Sequence, residues 1–313
     1  MERNFFSVII PTYNRSKILE RTLIHILNQS FDCFEVIIVD DGGSDNTEQM
    51  VKDLNDPRLR YFRQDNSGPL IARYSAALKA EGTWLAFCDS DDLWEKDYLQ
   101  HCYQSILSAK AKVVFTDYQV EGEASPRINN LLCKGFFDDS KTFVDGDFYI
   151  LDAVSLYHAL MKQQPLMISA FLIERDYYHH IGGIDISLDV IGSEDSHLTQ
   201  RAVGNTDLIT FINLNLVLLG RGDDNVSSSY IRNLEGGLSI IIDIYARALV
   251  PKKLMNSTKE NIYKHRIELA NQYYWCRELK KSLNHLSQLD IYHLVSEKVL
   301  FLLAKIAFRS VVK

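Results

Sequence analysis

The 313-residue chain contains no run of the roughly 18 to 20 apolar residues needed to cross a bilayer. Its start, Met1-Glu2-Arg3-Asn4, has neither the basic opening nor the apolar stretch of a secretory signal. Positive charge is short: 34 Lys and Arg against 41 Asp and Glu leave a net −7. That excludes nucleic acid as the main partner, because phosphate neutralisation needs a basic surface. The five cysteines (Cys33, Cys88, Cys102, Cys133, Cys276) lack metal-ligand or disulfide spacing and read as thiols of a reducing compartment. A Gly-x-Gly-x-x-Gly fingerprint is missing, which argues against a dinucleotide site. Internal repeats and low-complexity tracts are absent too. These absences lead us to expect a cytoplasmic protein. Its 46% apolar content suffices for one large domain or two modest ones.

What is present is an alternation of apolar strands and amphipathic helices. Phe6 to Ile10 is an apolar run ended by Pro11, and a helix from about Ser16 lines up Ile18, Leu19, Thr22, Leu23, Ile26 and Leu27. Phe34 to Val39 reads as a second strand, Asp45-Asn46-Thr47-Glu48 as a capping box, and Arg60 to Gln64 as a third strand. Ser67-Gly68-Pro69 opens a helix reaching about Ala80, with Gly82 just past its end. Trp84 to Cys88 reads as a buried strand, followed by a helix from about Glu95 to Ser108. Repeated units of this kind predict a mostly parallel, Rossmann-like sheet flanked by helices. Lys112 to Val120, Ile168 to Ile173 and Ile209 to Leu219 add strands, and Glu121 to Asp147 reads as a polar lid or insertion. The pattern turns helical from about Leu234, with one long helix over Glu260 to Lys281 and one or two more from Ile291 to Val312. A change near Asp224 to Asn233 divides the chain into 1–228 and 229–313.

The chemistry concentrates at strand ends, where open parallel sheets bind ligands. The fourth strand runs into Asp89-Ser90-Asp91-Asp92. Three carboxylates where a buried strand leaves the core make a hard-oxygen site for Mg²⁺ or Mn²⁺; read as a turn, the same residues would let Asp92 cap the next helix. The first strand ends in Pro11-Thr12-Tyr13-Asn14 and the second in Asp40-Asp41-Gly42-Gly43-Ser44. Tyr13 offers a face for a base, Asp40 or Asp41 an acceptor for base or ribose, and Arg73 a partner for a base carbonyl or a phosphate.

The stretches Ser7-Val8-Ile9-Ile10-Pro11-Thr12-Tyr13-Asn14-Arg15 and Phe34-Glu35-Val36-Ile37-Ile38-Val39-Asp40-Asp41-Gly42, the triplet Ile71-Ala72-Arg73 and the acidic tetrad together resemble family 2 glycosyltransferases of the GT-A fold. The resemblance is close over roughly residues 5 to 105 and weaker to about 228. It implies an α/β GT-A domain over 1–228 that uses a nucleotide-activated sugar, usually a UDP-sugar, with Mn²⁺ or Mg²⁺. Tyr13 would stack on uracil with Pro11 and Thr12 beside it, Asp41 and its neighbour Asp40 would bind the base, and Arg73 would assist. Asp89 would meet the ribose next to Ser90, and Asp91 would hold the metal. Arg221 is a further candidate for the diphosphate.

Family members place the base that deprotonates the acceptor in an acidic pair behind a Gly-Gly-Phe-Asp-like loop. Here Gly182-Gly183-Ile184-Asp185 precedes Gly192-Ser193-Glu194-Asp195, so Asp195 is the candidate base and Glu194 the second choice. An Asp does this near neutral pH when its pKa rises from about 3.9 or when the transition state makes the hydroxyl acidic. Two departures stand out: Tyr74-Ser75-Ala76 replaces the usual Asn and Gly after the triplet, and Gly220 to Ser227 lacks the His that many relatives carry. Asp223 in that stretch is a weaker candidate for the metal.

The resemblance does not extend to the C-terminal region, 229–313. Its last helix sets Lys298, Lys305 and Arg309 in a narrow stripe beside Leu300, Phe301, Leu303, Ile306, Phe308 and Val312. Packing within a helical subdomain, homo-oligomerisation and contact with the inner face of a membrane all suit it. The function expected is inverting, metal-dependent transfer of a hexose or N-acetylhexosamine to a hydroxyl of a glycan, lipid-linked or protein-linked acceptor. The alternatives are a catalytically silent nucleotide-sugar-binding or scaffolding module, or another α/β nucleotide enzyme.

Overall fold

The computed structural model of the chain describes residues 5–188, 194–221 and 230–311. It divides into two compact units, residues 1–189 with 198–225, and residues 190–197 with 226–313.

In chain order the elements up to residue 219 are β1 (Phe6–Thr12), α1 (Ser16–Leu27), β2 (Phe34–Asp40), α2 (Thr47–Asp53), β3 (Leu59–Arg63), α3 (Pro69–Ala77), β4 (Trp84–Phe87), β5 (Leu93–Trp94), α4 (Tyr98–Ser108), β6 (Val113–Val120), α5 (Arg127–Leu132), β7 (Lys141–Asp145), β8 (Phe148–Asp152), α6 (Ala153–Leu160), β9 (Phe171–Glu174), α7 (Arg175–His180), α8 (Glu194–Gly204) and β10 (Leu208–Leu219). The strands form one sheet in the order β3-β2-β1-β4-β9-β6-β10-β8-β7, with β5 paired to β10. β1 to β4 are mutually parallel, and β6 and β10 pair in parallel. β9 enters antiparallel between β4 and β6, so the sheet is mixed but mostly parallel.

Every residue of β1 and β2 is buried, as expected of apolar runs covered on both faces. α3 packs against β1 and β2 and supplies part of that cover, while α1 buries Leu19, Thr22, Leu23 and Ile26. β1 lies between β2 and β4, and its register sets Thr12 beside Asp40. The carboxyl ends of three strands therefore share one edge.

Four local expectations change. Asp45 does not close a capping box over α2: one carboxylate oxygen accepts the Thr47 N–H and hydroxyl at 3.1 and 2.6 Å, the other the Ser16 N–H at 2.8 Å. One side chain thus starts two helices. α4 begins at Tyr98 rather than Glu95, because Leu93 and Trp94 pair with β10. The polar stretch Glu121 to Asp147 holds α5 and the edge strand β7. The buried Asp117 accepts the Ile128 and Asn129 N–H groups at 2.8 Å each, so α5 is capped from outside its own sequence. Ile168 to Ala170 form a 3₁₀ turn before β9.

The second unit contains α9 (Tyr230–Ala246), α10 (Lys252–Trp275), α11 (Leu279–Leu286), α12 (Ile291–Leu294) and α13 (Glu297–Val311). α9 and α10 meet through Leu238, Ile241, Ile262, Leu269 and Tyr273. A second cluster joins Ala270, Leu286, Leu289, Val299, Leu302 and Ile306. The expected continuous helix from Glu260 to Lys281 breaks after Trp275. Arg277 is left-handed at φ 65°, and the Glu278 N–H reaches the Tyr273 carbonyl at 2.9 Å, a Schellman ending built without glycine.

At the opposite edge from the strand ends, buried Glu35 accepts the Ser7 hydroxyl at 2.6 Å, the Glu81 N–H at 2.7 Å and the Arg60 guanidinium. Burial alone would raise its pKa, but the bonds from Ser7, Glu81 and Arg60 together hold it below the ordinary value of 4.5. A depressed carboxylate stabilises the fold above its unfolded pKa and loses that contribution as pH falls through the folded value. Glu35→Gln should cost about 1.5–3 kcal/mol near neutral pH. In urea denaturation the gap to the parent protein should close as pH drops below 4.5.

Candidate nucleotide-sugar site

Beyond β4 the chain turns tightly, with the Asp92 N–H on the Asp89 carbonyl at 3.1 Å. The turn separates the three carboxylates by environment. Asp92 is buried and accepts the Gly220 N–H at 2.9 Å, with a further bond from Ser169. It does not cap α4. Asp89 and Asp91 stay partly exposed, each beside a cation: Arg73 Nη2 lies 2.5 Å from Asp89 Oδ1, and Arg15 Nη1 3.3 Å from Asp91 Oδ2. Arg15 also points at Ser90 Oγ at 3.4 Å, and the Ser90 carbonyl accepts the Thr22 hydroxyl at 2.9 Å. Burial pushes the Asp92 pKa well above the usual carboxylate range, and the charges of Asp89 and then Asp91 push it further. The tetrad is thus a concentration of negative charge drawn toward cations.

The neighbouring strand ends are organised as firmly. Thr12 is buried, and its hydroxyl has no hydrogen-bond partner among the described residues. Tyr13 behind it is 49% exposed, so its ring is open to a ligand. Asp40 accepts the Gly43 N–H at 2.8 Å and the Tyr61 hydroxyl at 2.7 Å. Asp41 takes the Gln64 amide at 2.7 Å and the Ser67 and Gly68 N–H groups at 2.9 and 2.7 Å. These bonds shape the Gly42 turn, left-handed at φ 81°, and the entry to α3. Asp40 and Asp41 therefore form the floor of the site rather than free acceptors on its surface.

The fold brings Pro11, Thr12, Tyr13, Asp40, Asp41, Arg73, Asp89, Ser90 and Asp91 to the edge formed by β1, β2 and β4. Arg221 follows β10, whose end meets the tetrad through Gly220, but its guanidinium is paired with Glu123 at 2.8 Å. Glu194 and half-buried Asp195 open α8 and group with the second unit. Ahead of them, Gly182 and Gly183 are both left-handed; Arg201 donates to the Ile181 carbonyl at 2.7 Å and to that of Gly183, and the Ile184 N–H reaches the Tyr178 hydroxyl at 3.0 Å. Gly192, Ser193, Asp223 and Asn225-Val226-Ser227 lie outside the described residues. Sequence reading passed over Arg15, Thr22, Gln64, Ser169 and Gly220. Only Arg15, next to the Pro-Thr-Tyr-Asn ending, carried a local signal; the others gain meaning from contacts 23 to 128 residues away.

Residues 7–160 match the model for glycosyl transferase family 2. This segment belongs to that family. It is 26% identical over 221 residues to glycosyltransferase GlyA of Streptococcus pneumoniae, an alignment covering 67% of this chain and 30% of GlyA. It is 36% identical over 117 residues to TuaG of Bacillus subtilis, a glycosyltransferase named for teichuronic acid biosynthesis, covering 36% of this chain and 46% of TuaG. The chain thus spans less than half the length of either relative. Among solved structures, Staphylococcus aureus TarS 1–349 in complex with UDP-GlcNAc superposes with a TM-score of 0.64 at 20% identity, covering 96% of this chain and 80% of that one. The mannosyltransferase PcManGT of Pyrobaculum calidifontis, in complex with GDP-Man and Mn²⁺, superposes at 0.59 and 17% identity, covering 99% and 88%. The fold is the GT-A arrangement of this family, followed by C-terminal helices.

The family implies a divalent cation, and the tetrad fits one. Asp89 and Asp91 are partly exposed hard-oxygen donors, and their repulsion of Asp92 records a charge excess that such an ion relieves. Gly220 completes the geometry by close approach, since a Cβ there would lie 2.5 Å from the Asp91 carbonyl oxygen. Gly220→Ala should displace the tetrad. Mn²⁺ affinity, read by calorimetry, should fall roughly tenfold or more, while far-ultraviolet circular dichroism stays unchanged.

Proposed function

We propose that the chain is an inverting glycosyltransferase that uses a UDP-sugar and Mn²⁺ or Mg²⁺ to glycosylate a hydroxyl of a bacterial cell-surface glycan or its lipid-linked precursor. The observation that carries this reading is the joint placement of Tyr13, Thr12, Asp41, Arg73, Asp89 and Asp91 at one sheet edge. Tyr13 stacks on the uracil, and the buried Thr12 hydroxyl finds its missing partner on the nucleotide. Asp41 fixes the loop that borders the base; its Oδ1 already takes Gln64 and Ser67, whereas Oδ2 takes only the Gly68 N–H and retains lone-pair capacity for a base N–H. Arg73 holds Asp89 toward the ribose. Asp91, with Asp89, would hold the divalent ion, and Arg15 lies beside the same Asp91 carboxylate. Bound there, the ion neutralises charge on the departing diphosphate.

Asp195 takes the proton of the acceptor hydroxyl, which attacks the anomeric carbon as the bond to UDP breaks, so a single displacement inverts the configuration. Glu194 is the second candidate for this proton. Arg221, released from Glu123, is available to the diphosphate. Scattered cysteines and the need for a nucleotide-sugar supply fit action in the cytoplasm.

A screen of UDP-sugars for metal-dependent turnover by the purified chain tests the reading. Asp91→Asn should lower turnover by about 100-fold or more and abolish its response to Mn²⁺. Equal donor binding with and without the ion would remove Asp91 from that role. Asp195→Asn should lower transfer by about 100- to 10,000-fold while donor affinity holds. Undiminished transfer would shift the base to another residue. A parent protein silent with every donor would favour a binding module.

A further inference from the structure

The overall charge of −7 conceals a strong asymmetry. Residues 226–313 carry 14 Lys and Arg against seven Asp and Glu, a net +7, whereas residues 1–225 carry −14. A basic segment on an acidic chain points to an anionic partner. In this segment the sharpest feature is α13, which has three distinct sides.

One side packs: Val299, Leu302 and Ile306 are buried against Ala270, Leu286 and Leu289. The side away from that cluster is exposed and, past Glu297 in the first turn, apolar. Leu300, Phe301, Ala304, Ala307 and Phe308 share one helical face and are exposed, Phe301 at 64% and Phe308 at 72%. Between the two runs the basic flank of Lys298, Lys305 and Arg309, and Glu297 in the first turn is the only acidic residue of α13. Lys305 Nζ lies 4.3 Å from the Phe301 ring centroid and 5.6 Å from that of Trp275, which is 61% exposed. Arg309 is fixed by its bond to the Tyr274 carbonyl at 2.9 Å. The apolar face and the basic flank therefore form one surface edged by a tryptophan.

We infer that α13 docks the protein on an anionic lipid surface. The apolar face enters the boundary between headgroups and acyl chains, the basic flank meets lipid phosphates, and Trp275 sits at headgroup depth. Charge decides between this occupant and a second copy of the chain. Self-pairing through the same face would crowd two basic flanks with Glu297 as the only acid on each helix, whereas an anionic bilayer satisfies both parts of the surface. The inference draws on the second unit alone and is independent of which sugar is transferred. Packing and presentation are not competing uses of this helix, since they occupy different sides of it.

Vesicle co-sedimentation tests it. The full chain should bind phosphatidylcholine vesicles containing phosphatidylglycerol at least about tenfold more tightly than phosphatidylcholine alone, and added salt should weaken the binding. Phe301→Glu with Phe308→Glu should abolish binding, and Lys298→Glu with Lys305→Glu should remove the preference for the anionic lipid. Phe301, Phe308 and Lys298 are exposed and Lys305 is half-buried at the rim, so circular dichroism and melting should stay close to the parent. Equal binding to both vesicle types, or unchanged binding by both double variants, overturns the inference. So does a dimer in light scattering that the phenylalanine pair splits while vesicles are ignored.

Discussion

Three carboxylates within four residues repel one another, and the architecture around the site is organised by how that repulsion is offset. Asp92 is drawn inward and given N–H and hydroxyl donors from Gly220 and Ser169. Asp89 is matched by Arg73 from α3, and Asp91 by Arg15 at the entry to α1. Each offset recruits a different part of the chain, so the turn after β4 gathers β10, the segment before β9 and two helices. The site we propose for a divalent ion and a diphosphate rests on the same arrangement, because the charge excess balanced within the fold would also hold the ion.

The second acidic pair works in the opposite way. Asp40 and Asp41 are almost fully supplied with donors by their own loops and by Tyr61 and Gln64. Their charge is spent on holding the Gly42 turn and the start of α3 in place, which leaves the exposed ring of Tyr13 on a rigid floor. Residues of one type at neighbouring strand ends thus divide into builders and binders by burial and by the number of nearby N–H groups.

Much of the fold was legible in the sequence where the signal is local. Unbroken apolar runs such as Val8 to Ile10 and Val36 to Val39 read as central strands covered on both faces, and the helix of α1 follows from its apolar spacing. Elements whose cause lies elsewhere were not legible. α5 depends on a cap from Asp117, β5 exists because β10 lies beside it, and α10 stops where Arg277 adopts a left-handed conformation that no glycine announces. For the site, the residue types at the strand ends were readable, but the pairing of Asp91 with Arg15 and the role of Gly220 against Asp91 were not.

The sequence by itself determined that a mostly parallel α/β sheet would carry Tyr13, Asp41, Arg73 and the tetrad at strand ends, because strand position and residue chemistry are properties of short segments. It also determined that α13 would be apolar with a basic stripe. Only the tertiary structure decided which carboxylate of the tetrad is buried, which cation each of the others faces, and which side of α13 is packed. Those outcomes depend on desolvation and on donors brought from distant parts of the chain, and neither exists until the chain has folded.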